Sequence, residues 1–86
     1  MPSHRVLIEK RAQTQLSKLD KEARSRILTA LHILRDTGFS SELDLRKLRG
    51  YKNHYRLRVG KYRVLFELQP EKTTIIYAIL PRKRAY

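Results

Sequence analysis

Between Tyr55 and Phe66 apolar and basic positions alternate: Tyr-Arg-Leu-Arg-Val leads into Gly60-Lys61, and Tyr-Arg-Val-Leu-Phe leads out. Alternation with period two marks a strand with two unlike faces, and glycine at the first central position suits a two-residue type II′ turn. The segment predicts a β-hairpin with Val59 opposite Tyr62, and this register fixes every other pair. One face collects Tyr55, Leu57, Val59, Tyr62, Val64 and Phe66, and is a core face. The other collects Arg56, Arg58, Arg63 and Leu65, with His54 and Glu67 at its far end.

Before the hairpin, His4 to Ile8 predicts a short strand, its Val6-Leu7-Ile8 run being buried-strand material. Ala12, Leu16 and Leu19 then recur at helical spacing, predicting a helix over about Glu9 to Leu19. A longer second helix follows. Asp20 is its N-cap, Glu22 favours its first turn, and Ala23, Ile27, Ala30, Leu31 and Leu34 form its apolar stripe up to Thr37, where Gly38 stops it. Phe39 to Leu45 is a polar loop with two apolar anchors, and Arg46 to Gly50 is a short edge strand or a turn. After the hairpin, Gln69-Pro70-Glu71-Lys72 is a turn, and Thr73 to Leu80 is a nearly continuous apolar strand ended by Pro81. The order β-α-α-β-β-β predicts an α+β fold: a two-helix hairpin packed on one face of a mostly antiparallel sheet, with the opposite face left open.

Eighty-six residues hold one core, so 1–86 is expected to be a single domain. The absence of cysteine excludes disulfides, thiolate metal sites and cysteine nucleophiles. No apolar run approaches membrane-spanning length and no signal-peptide segment opens the chain, so a cytoplasmic protein with no membrane partner is expected. A formal charge of +12 implies attraction to phosphate or to an acidic partner. That charge is uneven: residues 1–43 carry eight basic and five acidic side chains, residues 44–86 twelve and three.

The hairpin concentrates it further. Leu45 to Phe66 holds eight basic residues and no acidic one, and the register sets Arg58 directly opposite Arg63, an arrangement that destabilises a strand pair. A polyanion that sits on this face explains the cluster; long arginine stems lying over apolar sheet with their heads in water is the plainer alternative.

These residues carry a family resemblance. Lys47-Leu48-x-Gly50, then Tyr55-Arg-Leu-Arg-Val-Gly-Lys-Tyr-Arg-Val-Leu-Phe66, then a strand followed by Arg82-x-Arg84-Ala85-Tyr86, resembles the RelE branch of the RelE/ParE toxin superfamily over nearly the whole chain. The resemblance implies a toxin that cleaves messenger RNA in the ribosomal A site without a cofactor, by attack of a ribose 2′-hydroxyl on the adjacent phosphate, and that a cognate, acidic antitoxin silences. It implies that Arg63 and Arg82 hold the phosphate, that Arg56 and Arg58 stand where well-known members carry lysines, and that Tyr86 stacks on the substrate base and is a candidate for proton transfer. Arginine stays protonated at working pH, so Arg56 and Arg58 can act only electrostatically and not as a general base. Some members carry a C-terminal helix that this chain lacks, and regulation by displacing one is not expected.

Around these catalytic candidates, Lys47, Arg49, Lys52, Lys61, Lys83 and Arg84 are expected to bind RNA or ribosome, a solvated basic rim being the alternative for the loop residues. His54 shares the arginine face and is the residue type for acid/base work near neutral pH, against an exposed strand-edge histidine paired with Glu67. His4 and His32 lack clustered ligand partners, so no metal site is expected. Tyr51, Tyr55 and Tyr62 are rings of the kind that stack on bases, but Tyr55 and Tyr62 fall on the core face, where packing is the better reading, while Tyr51, ahead of the strand, is open to either. Two other functions fit the composition: a noncatalytic ParE-like inhibitor of DNA gyrase or topoisomerase, and a plain nucleic-acid-binding domain. A protein-docking surface would be more apolar at its centre, which favours the endoribonuclease.

Overall fold

The structure, a computed structural model, describes residues 5–82. It begins with strand β1 (Arg5–Ile8), followed by helices α1 (Lys10–Ser17) and α2 (Lys21–Thr37), and then four strands, β2 (Asp44–Lys47), β3 (His54–Val59), β4 (Tyr62–Gln69) and β5 (Thr73–Pro81). The five strands form one sheet in the order β1-β5-β4-β3-β2, antiparallel except for the parallel pair β1 and β5. The helix hairpin lies on one face, as the order of elements predicts.

Local chemistry explains the helix boundaries. The Asp20 carboxylate accepts a hydrogen bond from the Ala23 N–H at 2.8 Å, satisfying a donor that the first turn leaves free. At the other end Gly38 takes φ +72° and its N–H donates to the Leu34 carbonyl at 2.9 Å, a conformation that costs glycine nothing. Between them Ile27, Ala30, Leu31 and Leu34 are buried. With Ala12 and Leu16 of α1 they pack on Leu57, Val64, Phe66, Ile76 and Ile79, which are the sheet's core-face residues.

The hairpin turn is as the alternation predicts. Val59 faces Tyr62, Gly60 has φ +58°, and Lys61 stays at negative φ, so a single left-handed residue carries the turn. Other features differ from the sequence reading: α1 ends at Ser17, short of the expected Leu19, and Leu7 of β1 is exposed rather than buried. The segment left as edge strand or turn resolves into a strand that starts two residues earlier, at Asp44, because Asp44 to Lys47 pair with Arg58 to Tyr55; Leu48 to Gly50 turn away. The β4–β5 ladder also slips between Leu65 and Phe66, whose partners are Ala78 and Ile76, which leaves Tyr77 extra.

β1 pairs β5 only as far as Ile76, so the outer edge of β5 is open beyond it. Gln15 of α1 closes that edge: its side-chain oxygen accepts from the Ile79 N–H at 2.7 Å. No helix among the described residues is long and apolar enough to cross a membrane.

Candidate nucleic-acid interface

On the sheet face away from the helices, strand register sets the charged residues in rows. Asp44, Arg58, Arg63 and Leu80 are in line across β2, β3, β4 and β5; Arg46, Arg56, Leu65 and Ala78 form the next row. Val59 and Tyr62, which flank a two-residue turn, are a hydrogen-bonded pair, so Arg58 and Arg63 are the closer, non-hydrogen-bonded kind, with Cβ atoms roughly 5 Å apart. The hairpin thus forces two guanidinium-bearing chains together. Arg82 joins from the end of β5, where its backbone N–H donates to the Lys61 carbonyl at 2.8 Å.

The face is less open than the alternation predicts. Arg56 and Arg63 are only 5% and 9% exposed, because β3 and β4 are interior strands whose side chains are walled in by those of β2 and β5. Arg58, one row from Arg56 and nearer the turn, is half-buried. An acid lies beside them: Asp44 brings one carboxylate oxygen to 3.7 Å from Arg56 Nη2 and the other to 3.8 Å from Arg58 Nε. One carboxylate therefore bridges two arginines at the edge of the sheet, where a phosphate could take over the same donors.

Along β3 from Arg56 lies a second group. His54 Nδ1 is 3.0 Å from Tyr77 Oη, and its Nε2 is 3.9 Å from a Glu67 carboxylate oxygen. The expected pairing of His54 with Glu67 is present, but the histidine is half-buried rather than exposed, and Tyr77 is a further partner. Burial, reinforced by the negative charge of Glu67 and by Tyr51, raises the Tyr77 phenol above its ordinary pKa, which keeps it a hydrogen-bonding O–H. The Tyr51 ring also lies against His54, ring centroids 5.7 Å apart.

Lys47, Arg49 and Lys52 are exposed around the β2–β3 connection, and Lys61 is exposed at the hairpin turn. Tyr55 belongs to the core as expected, stacked on Phe66 at 5.7 Å, and Tyr62 packs against the same cluster. Tyr86, Lys83 and Arg84, and His4 of the predicted first strand, lie outside the described residues. Among the described residues no three histidine or acidic side chains are grouped as a metal site.

The profile of the ParE toxin of the type II toxin-antitoxin system, parDE, matches residues 6–86, nearly the full length. The chain belongs to this toxin family. Toxin RelE3 of Methanocaldococcus jannaschii is 44% identical over 45 residues, a span of 52% of this chain and 50% of that relative. The archaeal RelE-RelB complex from Pyrococcus horikoshii OT3 contains a chain that matches with TM-score 0.83 and 32% identity, over 96% of this chain and 99% of that one. A chain of the RelB-RelE antitoxin-toxin complex from Methanococcus jannaschii matches with TM-score 0.78 and 31% identity, over 90% and 91%. The isolated RelE toxin of E. coli shares the fold, with TM-score 0.78 at 19% identity over 96% and 88%. Within the superfamily this toxin is on the RelE branch.

The toxin's face holds three residues that the sequence reading passed over. Arg46 faces Arg56 across β2 and β3, Asp44 bridges two arginines, and Tyr77 reaches His54. The first two depend on the pairing of a strand with one apolar residue in four, and the third on a ladder slip with no glycine to announce it. Only the segment 45–66, with eight basic side chains and no acid, bordered by Asp44, hinted that a counter-charge lay at its edge.

Proposed function

We propose that this RelE-branch toxin is a ribosome-dependent endoribonuclease that cuts messenger RNA in the A site and so stops translation. The observation that carries the reading is the gathering of Arg56, Arg58 and Arg63 on one sheet face with Arg82 at its end. In the reaction the ribose 2′-oxygen bonds to the adjacent phosphorus and the 5′-oxygen leaves, giving a cyclic phosphate and a free 5′-hydroxyl. Negative charge grows on the phosphoryl oxygens, and guanidinium groups stabilise it through charge-assisted hydrogen bonds. Arg63 and Arg82 hold the phosphate; Arg56 and Arg58 add field; Tyr86 serves the base and the proton transfer. The fixed positive field lowers the cost of a phenolate or of an ionised 2′-hydroxyl without itself accepting a proton.

The relatives crystallised with RelB support a cognate antitoxin as the protein partner here as well. Its acidic segment would cover the arginines by the same charge pairing that Asp44 makes at 3.7 and 3.8 Å.

Primer extension on a defined message, with and without programmed 70S ribosomes, tests the reading. Cuts at the A-site codon that need the ribosome and vanish in Arg63→Ala are expected. No cuts under either condition would overturn it in favour of the gyrase inhibitor, which a supercoiling assay then checks.

A further inference from the structure

The β2–β3 connection carries features that the arginine site does not use. Tyr51 is 63% exposed, the largest exposure among the large apolar or aromatic side chains of the described residues, yet it is not a loose tip. Its N–H donates to the Leu48 carbonyl at 3.4 Å, and the Leu48 N–H to the His54 carbonyl at 2.8 Å, closing the loop on itself. Gly50 and Asn53 take φ +84° and +63°, shaping a tight bend on either side of the ring. One side of the ring leans on His54 at an inclination of 43°, and His54 is in turn fixed by Tyr77 and Glu67. The rest faces solvent beside a shallow depression of about 490 Å³ lined by Lys47, Leu48, Arg49, Gly50, Tyr51 and Lys52. None of these residues is acidic.

An aromatic face held in place, exposed to solvent and ringed by cations is the arrangement that binds unpaired nucleotides: bases stack on the ring and phosphates meet the charges. The loop backbone is already held by its own hydrogen bonds and one side of the ring rests on His54, so less freedom is lost on binding than for a ring on an open loop. His54 precedes Arg56 by two residues on one strand face, about 7 Å, so the ring and the arginines line one continuous path.

We propose that Tyr51 is a stacking platform for an unpaired RNA base outside the scissile site, with Lys47, Arg49 and Lys52 binding the flanking phosphates. The proposal deepens the endoribonuclease reading in taking RNA as the target, but it concerns binding and not the cut. An acidic peptide would satisfy the cations and make no use of a base-stacking face. The chemistry is that of single-stranded RNA, whether message or an unpaired ribosomal nucleotide.

The test is fluorescence anisotropy of the full chain on a labelled, fully 2′-O-methylated single-stranded RNA, which cannot be cut by 2′-oxygen attack, and in parallel on 70S ribosomes without message. Tyr51→Ala is expected to raise Kd about tenfold, with Tyr51→Phe restoring it. On an abasic RNA of the same length, Tyr51→Ala and the parent should bind alike, and the parent itself should bind more weakly than to the RNA with bases. Lys52→Ala should weaken binding to both RNAs and flatten the salt dependence, which Tyr51→Ala leaves unchanged.

A loss on the oligonucleotide assigns the base to the message; a loss on ribosomes alone assigns it to ribosomal RNA. Unchanged binding of Tyr51→Ala in both arms overturns the proposal, and so does an equal loss on abasic RNA. Because nothing is cut in this assay, absence of ribosome-dependent cleavage with the Tyr51 effect intact would remove the enzymatic reading and leave this one standing.

Discussion

At the scale of single residues the proposed site sets one carboxylate, Asp44, against the phosphate that its arginines would hold. Asp44 is half-exposed and reaches Arg56 and Arg58 at 3.7 and 3.8 Å, too far for strong bidentate bonds but close enough to offset their charge. Asp44→Asn should therefore tighten binding of an uncleavable RNA severalfold, as anisotropy at fixed salt will show; equal or weaker binding would mean that Asp44 chiefly orients the arginines. Arg63 is a different case. Arg63→Ala should lower the cleavage rate on programmed ribosomes about 10²- to 10³-fold, the scale of losing an oxyanion donor, with far-ultraviolet circular dichroism unchanged. Near-normal cleavage by a folded Arg63→Ala, Arg82→Ala double variant would place the chemistry elsewhere. Tyr77 reports through pH. Its pKa is raised by burial first and by Glu67 next, so the folded state holds a proton that the unfolded chain has released above about pH 10. This contribution to stability is present below the unfolded value and is lost as pH rises through the folded one. Tyr77→Phe, which has no proton to lose, should show a smaller decline in urea midpoint across the alkaline range than the parent.

At the scale of elements, the hairpin is where sequence and structure agree most closely, because two local signals coincide there: alternation fixes the faces and Gly60 fixes the register. A Cβ at Gly60 would meet nothing nearer than Arg26 Nη1 at 3.9 Å, so Gly60→Ala is not a matter of space. Its cost is the backbone at φ +58°, about 1–2 kcal/mol, readable as a shift in denaturant midpoint at constant slope. Leu57, fully buried between helices and sheet, should cost more: Leu57→Ala is expected to lose about 2–5 kcal/mol, and a variant that melts like the parent would mean the faces are reversed. The α2 cap and stop were legible for the same reason, Asp20 and Gly38 being adjacent to what they satisfy. What was not legible is non-local. Asp44-Leu45-Arg46-Lys47 has too little apolar pattern to declare a strand and becomes one only by pairing with β3. The slip at Leu65/Phe66 depends on β5 lying alongside, and Gln15, polar and off the apolar stripe, reveals its purpose only where β1 runs out. The arginine cluster was visible as composition; its burial was not, since burial depends on which strands end up interior.

At the scale of the whole molecule, the division of labour between faces follows from where charge is tolerated. All eight acidic residues lie outside the segment 45–66, which Asp44 and Glu67 border, while eight of the twenty basic ones lie inside it. A field so one-sided attracts polyanions over a distance that salt controls, and if the proposed RNA is bound each cation that meets a phosphate releases about 0.7 counterion equivalents on a single strand. The logarithm of the binding constant for an uncleavable RNA should therefore fall linearly with the logarithm of salt concentration. Arg49→Ala, on the exposed loop, should reduce that slope by about 0.7 and weaken binding alike for every RNA sequence, because phosphate contacts carry position and not identity. A buried arginine at the reacting phosphate should show the opposite balance, a large loss of rate with a small change of slope. A salt-independent affinity, or a slope that Arg49→Ala leaves untouched, would mean that the basic rim serves solubility, and the path from Tyr51 to the arginines would lose the electrostatic half of its argument.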